Sequence, residues 1–369
     1  MPSRIRVGFV GLSATGWAAA NLGPALFQPS IQTKYKLVAV STTNETSAKA
    51  SAEKYTAQLG NDVKAYHGNT ALIAADPDVD LVVVSVKTPH HKDAVLPAIA
   101  QKKNFFLEWP AGRGLEETLE IQAAAHRQGV KSIIGLQGRH SPVIKKVKEL
   151  VQSGAIGTVR STVMIGLVAR DSNFWPPIVS EAHVYGVDST NGATPLSIGV
   201  GHQLDSLTFV LGDFSTINAT ATTIYPTAAI VGADGNPTGK TLAATIVDHY
   251  AISGVLKSGA LASITWRTGY KKTPGRRLLL WEIDGEEGSI RVESDEFTFM
   301  NIANPTVSLN GEKVEIAGVE SGALGIIGAA WDAYASGDQP YATIDDAVKN
   351  HHVLDAVKRS IAEGKTIVL

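Results

Sequence analysis

The pattern of hydrophobic and polar positions changes near residue 140. Before that point, short continuous apolar runs alternate with longer segments in which apolar residues recur at helical spacing. Continuous β-branched runs are typical of parallel strands buried on both faces. The runs are Ile5–Val10, Lys36–Val40, Leu81–Val86, Phe105–Leu107 and Ser132–Gly135, and the helical segments are Thr46–Leu59, His91–Gln101 and Leu115–Gln128. This alternation predicts a doubly wound α/β sheet, which binds ligands at the carboxyl ends of its strands.

The second half of the chain has longer strand-like runs, separated by turn sequences such as Asp284-Gly285. These runs are Thr158–Val168, Thr216–Thr223, Leu242–Ser253, Gly259–Trp266, Arg277–Ile283 and Gly288–Glu293. The predicted helices are Pro142–Gln152, Gly199–Leu211, Leu324–Ser336 and Ile344–Glu363. The pattern predicts an α+β domain with an open, mainly antiparallel sheet and helices on one face.

The change of pattern predicts two domains, residues 1–138 and 139–369. A sheet with helices on one face leaves its other face to be covered by something else. We therefore predict a homodimer that forms through the open face of the second sheet.

The first strand leads into a glycine-containing turn, Gly11-Leu12-Ser13-Ala14-Thr15-Gly16-Trp17. A strand, this spacing and an Ala-rich segment together indicate a Rossmann dinucleotide site, with the pyrophosphate at a helix N-terminus. Gly11 makes the tight turn and Gly16 allows close helix packing, whereas Ser13 replaces the usual middle glycine. The alternative is a purely structural turn. We predict that the cofactor is contacted by Gly11, Ser13, Ala14, Gly16 and Trp17.

The end of the second strand bears on the choice of dinucleotide. A site selective for NAD usually has a carboxylate there, which accepts hydrogen bonds from the ribose hydroxyls. This strand ends in Ser41, Thr42 and Thr43, which can donate to a 2′-phosphate. The sequence therefore favours NADP, with NAD still possible. The alternative is a Ser/Thr turn before a helix capped by Thr46.

The composition is that of an ordinary soluble protein, with 44% hydrophobic residues and a net charge of −2. The sequence has no basic patch of the kind that would indicate binding to nucleic acid or to an anionic membrane. The absence of cysteine excludes disulfides, thiolate nucleophiles and zinc–cysteine sites. No apolar run reaches the roughly 18 residues of a membrane span. The first strand begins too early to leave room for a signal peptide. We expect a soluble cytoplasmic protein that acts on a small molecule.

Three motifs resemble the glucose-fructose oxidoreductase/inositol dehydrogenase/MocA family. Glu108-Trp109-Pro110 is similar to the Glu-Lys-Pro motif that ends the family's fifth strand, Leu136–Pro142 resembles the segment joining its two domains, and Gly201–Asp205 resembles its catalytic helix. The resemblance covers essentially the whole chain. It is most marked for the branch of fungal galactose-pathway repressors, which keep the fold and bind the dinucleotide but act as sensors.

The resemblance implies a Rossmann domain followed by an open-sheet domain, and a set of further cofactor contacts. Arg139 has two interpretations, a structural role at the domain junction or a contact with cofactor or substrate. The further predicted cofactor-binding residues are Thr88, His91, Glu108, Trp109, Pro110, Gln137 and Arg139.

The resemblance also shows which catalytic groups are missing. Trp109 stands where active members have a lysine, and an indole has no acid–base capacity. Ile198 stands where the catalytic helix often has an aspartate. His202 remains as a general acid or base, or as a histidine that only makes a structural hydrogen bond. Tyr185 and His183 lie in an irregular stretch that lines the pocket in this family or is a surface loop.

Two other groups of basic residues are candidates for a role in the site. Lys271 and Lys272 either replace the missing lysine or form a solvated loop. The pairs His90-His91 and His351-His352 are adjacent rather than one helical turn apart, so we predict no metal site. The predicted catalytic residues are His202, Trp109 and Tyr185.

Loss of the lysine affects which reaction is feasible. Reduction of a ketone develops negative charge on oxygen, and this charge needs a proton or strong donors. Reduction of an iminium ion neutralises a charge instead, and the π-face of Trp109 can stabilise the cation. We therefore predict an NAD(P)-dependent oxidoreductase that acts on a C=O or, more readily, a C=N group. The alternatives are a non-catalytic regulator with a protein partner and a non-redox enzyme that uses the pocket as a scaffold.

Overall fold

The structure is a computed structural model that describes residues 4–316, 322–337 and 340–369. The chain forms two compact units: Met1–His140 with Glu320–Val348, and Ser141–Val319 with Lys349–Leu369. The first unit is therefore discontinuous in sequence. The predicted division after residue 138 did not include the return of the segment Glu320–Val348 to this unit.

The first unit contains a six-stranded sheet in the order β3-β2-β1-β4-β5-β6, and all its strand pairs are parallel. The strands are β1 Ile5–Val10, β2 Tyr35–Thr42, β3 Lys64–His67, β4 Leu81–Val84, β5 Asn104–Leu107 and β6 Ser132–Ile134. The doubly wound prediction is confirmed. Strand β3 had not been identified, because its four residues alternate between partly buried and exposed and form no apolar run.

The helices of this unit follow the strands in alternation. They are α1 Gly23–Leu26, α2 Pro29–Gln32, α3 Glu45–Leu59, α4 Ala71–Ala74, α5 His91–Ala100, α6 Leu115–Gln128 and α9 Ala323–Ser336. The cap predicted for α3 was wrong. Asn44, not Thr46, is the N-cap, because its Oδ1 accepts a hydrogen bond from the backbone N–H of Ser47 at 2.9 Å.

Helix α9 belongs to the core of the first unit through two large side chains. Ile327 and Trp331 are buried in the same cluster as Val7, Phe9 and Phe106. The hydroxyl of Tyr35 also donates to the backbone oxygen of Trp331 at 2.7 Å. The apolar face of α9 thus covers part of a sheet built almost 200 residues earlier in the chain.

The second unit contains a nine-stranded sheet in the order β17-β16-β15-β14-β7-β13-β12-β9-β18. The strands are β7 Val159–Ala169, β9 Phe214–Thr222, β12 His249–Leu256, β13 Leu261–Tyr270, β14 Leu279–Gly285, β15 Ser289–Ser294, β16 Thr306–Leu309, β17 Glu312–Lys313 and β18 Ile367–Val368. Strands β7 and β13 pair in parallel, whereas the other described pairs in this sheet are antiparallel. The prediction of a mainly antiparallel sheet is confirmed.

A smaller three-stranded sheet, in the order β11-β10-β8, was not predicted. Its strands are β8 Ile178–Ser180, β10 Thr227–Val231 and β11 Pro237–Ala243. The single strand predicted at Leu242–Ser253 was wrong, because its first two residues end β11 and residues 249–253 begin β12. The remaining helices are α7 Pro142–Gln152, α8 Gly201–Leu211 and α10 Ile344–Glu363.

Candidate functional site

The turn after β1 requires glycine at its first position. Gly11 has a φ of +95°, and a Cβ built there would lie 2.0 Å from the backbone oxygen of Ser85. Its N–H donates to the backbone oxygen of Ser41 at 2.9 Å, which holds the turn against β2. Only a residue without a side chain allows this close approach of backbones. This is the backbone geometry that a dinucleotide site needs, so the residues present fit such a cofactor.

Leu12 is fully buried, whereas the turn from Ala14 to Trp17 is exposed and is ordered by short contacts. The hydroxyl of Ser13 donates to the backbone oxygen of Thr15 at 3.0 Å, and Ala14 and Gly16 are exposed. Gly16 has a φ of +91°. The first helical turn that follows is a π-helical turn, Ala18–Leu22, rather than a regular α-helix.

Trp17 and Glu108 join the turn to the end of β5. The indole Nε1 of Trp17 donates to Glu108 Oε1 at 2.7 Å, and the backbone N–H of Trp109 donates to Glu108 Oε2 at 3.1 Å. Gly135 leaves room for this carboxyl group, since a Cβ at that position would lie 2.3 Å from Oε2. Burial raises the pKa of Glu108 to about 7, although both hydrogen bonds oppose the rise. The pairing of Trp17 with Glu108, 91 residues apart, was not predicted.

The segment after Glu108 is held by a buried histidine. His91 Nδ1 lies 2.7 Å from the backbone oxygen of Pro110, and its Nε2 lies 3.0 Å from that of Val86. Burial lowers the pKa of His91. Trp109, which precedes a cis peptide bond to Pro110, is 5% exposed. Both ring nitrogens of His91 thus contact the protein, and its geometry is that of a residue that positions Pro110.

The tip of β2 offers one well-exposed hydroxyl. Ser41 is buried, and the Thr42 hydroxyl lies 2.6 Å from that of Ser47. Thr43 is exposed. The carboxylate of Glu45 follows, and Lys49 Nζ lies 2.7 Å from it.

The remaining predicted cofactor residues of this unit are mostly buried. Thr88 and Gln137 are both buried, each in a short 3₁₀ turn after a strand. Arg139 Nη1 forms an ion pair with Asp346 Oδ1 at 2.8 Å. Sequence reasoning missed Asp346, because nothing in the local pattern connects residues 207 positions apart.

The second unit carries His202 near the start of α8. A π-helical turn, Pro195–Val200, leads into this helix, and Thr194 caps the turn by accepting a hydrogen bond from the Ser197 N–H. His202 is partly exposed, and burial lowers its pKa to about 4. Ile198 lies in the π-helical turn, so no carboxylate comes from that position. His202 is therefore neutral at pH 7.

The other candidates of the second unit have their own contacts. His183 Nδ1 lies 2.8 Å from the Ser180 hydroxyl, and burial raises the pKa of Tyr185. Lys272 Nζ forms an ion pair with Glu296 at 2.5 Å, and Lys271 is exposed. These two lysines thus match the interpretation of a solvated loop.

Within residues 4–316, 322–337 and 340–369, no group of three or more His, Cys, Asp or Glu residues could hold a metal ion. In the same ranges, no helix is long and apolar enough to cross a membrane.

Comparison with known proteins supplies the family. Residues 5–136 match the profile described as an oxidoreductase family with an NAD-binding Rossmann fold, and residues 142–294 match the profile of the Gal80p C-terminal domain. The dehydrogenase aclE of Aspergillus oryzae is 32% identical over 372 residues, which cover 99% of this chain and 98% of that protein. The chain belongs to the Gfo/Idh/MocA oxidoreductase family.

This family member is also similar to regulators. The galactose/lactose metabolism regulatory protein GAL80 of Saccharomyces cerevisiae is 28% identical, over 89% of this chain and 75% of that protein. The crystal structure of a super-repressor mutant of Gal80p from the same organism superposes with a TM-score of 0.89 at 25% identity, covering 99% of this chain and 98% of that one. The Gfo/Idh/MocA fold of this chain therefore has both dehydrogenase and regulator relatives.

Proposed function

We propose that this chain is an NAD(P)-dependent oxidoreductase that transfers hydride between the dinucleotide and a C=N or C=O group, with a cationic C=N group preferred. The observation that carries the proposal is the Glu108-Trp109 pair at the end of β5. Where active relatives place an ammonium group, this chain places an indole, and the adjacent carboxyl group is bonded to Trp17 of the dinucleotide turn. The full-length similarity to a dehydrogenase supports the enzyme class.

The charges of this region favour a positive substrate. Glu108, with a pKa of about 7, is partly ionised at pH 7, and its carboxylate form attracts an iminium ion. An indole face adds about 0.5–2 kcal/mol of cation–π attraction. A ketone would develop negative charge on its oxygen beside Glu108, without a lysine to stabilise it. The dinucleotide supplies the hydride. Addition of hydride to an iminium carbon moves the C=N π electrons to nitrogen and gives a neutral amine, so this step needs no proton donor.

The state of His202 fits the same chemistry. With a pKa of about 4, its imidazole is neutral at pH 7 and holds no extra proton to give to a developing alkoxide. A neutral imidazole can still accept or donate one hydrogen bond. In this proposal His202 contacts the substrate and does not protonate it.

The test is oxidation of NADPH and NADH in the presence of cyclic iminium ions, imines, ketones and aldehydes, together with reduction of NADP+ and NAD+ in the presence of sugars. The proposal expects turnover of the cyclic iminium ions, with ketones at least a hundredfold slower in kcat/KM. Brisk oxidation of a sugar with no turnover of any imine would overturn it. Replacing Trp109 by Lys provides a matched variant, which should shift the preference towards ketones.

NADP preference is a second part of the proposal, supported by the exposed Thr43 hydroxyl and by the pairing of Glu45 with Lys49. Thr43→Asp places a carboxylate beside the 2′-phosphate. The expected result is at least a tenfold rise in Kd for NADPH and little change for NADH, because only the former carries the phosphate. Equal losses for both dinucleotides would contradict this assignment.

A regulator is the second candidate function, and the missing lysine together with the similarity to GAL80 favours it. This candidate expects dinucleotide binding with no turnover across the substrate panel. It also expects a protein partner whose affinity changes when the dinucleotide binds. Turnover of any compound in the panel at more than one event per second decides for the enzyme.

We also propose a homodimer through the outer face of the nine-stranded sheet. Along β7, β9, β12 and β13 one set of alternate side chains is buried, and the other set is partly or fully exposed. Much of the exposed set is small or apolar, including Val163, Ile165, Thr220, Ala251, Ser263 and Thr265, whereas His249 and Arg267 of the same set are not. Ala251→Arg should convert a dimeric mass to a monomeric one in sedimentation, whereas Ala50→Arg on α3 should not. A monomeric wild type would contradict the proposal.

A further inference from the structure

Cationic and aromatic side chains cluster on the outer face of the nine-stranded sheet, where β12 begins and β13 ends. His249 and Arg267 lie directly opposite each other on these paired strands. The guanidinium carbons of Arg267 and Arg276 lie 5.9 and 5.4 Å from the ring centroid of Tyr270. We call His249, Arg267, Tyr270 and Arg276 the arginine corner.

The arginine corner is held from beneath by a buried carboxylate. Asp248 is fully buried and accepts hydrogen bonds from the backbone N–H groups of Ile224, at 2.9 Å, and Tyr225, at 2.8 Å. His249 Nδ1 lies 2.7 Å from Asp248 Oδ1, and its Nε2 lies 3.1 Å from the Tyr270 hydroxyl. The chain Asp248–His249–Tyr270 therefore fixes the ring against which both arginines lie.

The guanidinium groups of Arg267 and Arg276 have few hydrogen-bond acceptors among the described residues. The Nε of Arg267 is buried and has no hydrogen-bond partner in the part of the chain that the structure describes. Arg276 has one hydrogen bond, from Nη1 to the backbone oxygen of Lys271 at 2.6 Å. Among the described residues, neither arginine has a carboxylate within ion-pair distance. A partly buried cation without an acceptor is costly, since desolvation is not offset by a partner.

Charges of both signs surround Tyr225. Burial is the largest cause that raises the pKa of Tyr225; Tyr270 and Asp248 add to the rise, and Arg170 and Arg276 oppose it. Arg170 itself lies 3.9 Å from the Asp171 carboxylate. Tyr225 packs over Gly269, where a Cβ would lie 2.3 Å from the ring. Asp248, the carboxylate of this cluster, already accepts bonds at both oxygens. The charges of Arg267 and Arg276 therefore remain for an external group.

We propose that the arginine corner binds a small oxyanion, a phosphate or a carboxylate, which the Arg267 and Arg276 guanidinium groups hold beside the Tyr270 ring. Guanidinium groups match both anions, because their planar N–H donors can make paired charge-assisted hydrogen bonds. A carboxylate attached to a flat apolar group would in addition stack on Tyr270. This site is built entirely from the second unit, lies on the sheet face proposed above for the dimer, and is independent of the proposed redox function.

The experiment is calorimetric titration of the full chain with inorganic phosphate and, separately, with benzoate. The variants are Arg267→Gln and Arg276→Gln. The matched control is Arg291→Gln, another outer-face arginine, whose charge is already paired with Glu282 at 2.6 Å. We expect each corner variant to weaken anion binding by about tenfold or more, in line with loss of one charged hydrogen-bond donor. The control should bind like the wild type.

Each outcome decides the question. If benzoate binds more tightly than phosphate, the site takes aromatic carboxylates, and the reverse order identifies a phosphate site. Equal binding by the wild type and both corner variants would overturn the proposal, as would an equal loss in Arg291→Gln. Light scattering adds one further check. If Arg267→Gln lowers the oligomeric mass and leaves anion affinity unchanged, the acceptor is a carboxylate of another copy and the proposal is wrong.

Discussion

Glu108 in the first unit and His202 in the second are affected by burial in opposite directions. Withdrawal from water disfavours the charged form of either group. For the carboxyl of Glu108 this raises the pKa to about 7, and for the imidazole of His202 it lowers the pKa to about 4. At neutral pH the acid is therefore partly protonated and the histidine is not. His202, which the sequence suggested as the acid–base group, is therefore less able than Glu108 to hold a proton at neutral pH.

The two groups also link pH to stability with opposite signs. The pKa of Glu108 in the folded state lies above its ordinary value of 4.5. Its contribution to folding stability is therefore complete below pH 4.5 and is lost as pH rises through 7. The folded pKa of His202 lies below its ordinary value of 6.5, so its contribution is complete above pH 6.5 and is lost as pH falls through 4. Each difference corresponds to about 3 kcal/mol. Between these limits the two effects largely cancel.

The largest effect is expected from Gly11→Ala, which damages the first region and leaves the second intact. The new Cβ would lie 2.0 Å from the Ser85 oxygen at a φ that disfavours alanine. We expect a loss of about 3 kcal/mol or more in the free energy of unfolding, and no dinucleotide binding. Gly16→Ala is the matched control, since its φ is +91° but no atom lies within 4 Å of the added Cβ. It should cost only about 1 kcal/mol.

The second prediction concerns Glu108→Gln, which removes the pH dependence of stability that comes from Glu108 and leaves that from His202. Relative to wild type, the free energy of unfolding of the variant should rise by about 3 kcal/mol between pH 4.5 and 8. The variant gains at high pH because glutamine has no charge to bury. Urea unfolding across this pH range measures the change. A constant difference would show that the Glu108 carboxyl titrates near its ordinary value.

The variant His202→Asn tests the pH dependence of stability that comes from His202. Relative to wild type, this variant should gain up to about 3 kcal/mol of stability as pH falls from 6.5 to 4, since the unfolded histidine no longer takes up a proton. NMR titration of the imidazole in the wild type gives the pKa directly. In turnover, the proposed function expects the variant to lose less than about tenfold with a cyclic iminium ion. A loss near a thousandfold would restore His202 as the acid–base group.

The smallest effect is expected from Trp17→Phe. This change removes the Nε1–H that donates to Glu108 at 2.7 Å and keeps most of the ring. Loss of one hydrogen bond to a charged group should raise the pKa of Glu108 further and cost about 1–3 kcal/mol above pH 7. Carbon-13 labelling of the carboxyl group follows the titration. An unchanged pKa would mean that water replaces the indole.

The first unit was predictable because its signals are local. Continuous apolar runs such as Leu81–Val86 and the turn at Gly11 depend on neighbouring residues. The structure has the turn at Gly11 and a strand over the first four residues of that run, Leu81–Val84. The second unit was less predictable in one region. The run at Leu242–Ser253 breaks at residue 244, because β11 pairs with β10 while β12 pairs with β9 and β13. No local pattern specifies those partners.

Some features of the candidate site were likewise predictable from local sequence, and others were not. The sequence alone determined the parallel sheet, the glycine that the dinucleotide turn requires, and the absence of a lysine after Glu108, because each depends on residue type and short spacing. Only the tertiary structure decided that Trp17 reaches Glu108, that Asp346 holds Arg139, and that the pKa values of Glu108 and His202 move in opposite directions. Burial and long-range hydrogen bonds set a side chain's charge, and both depend on residues that are distant in the sequence.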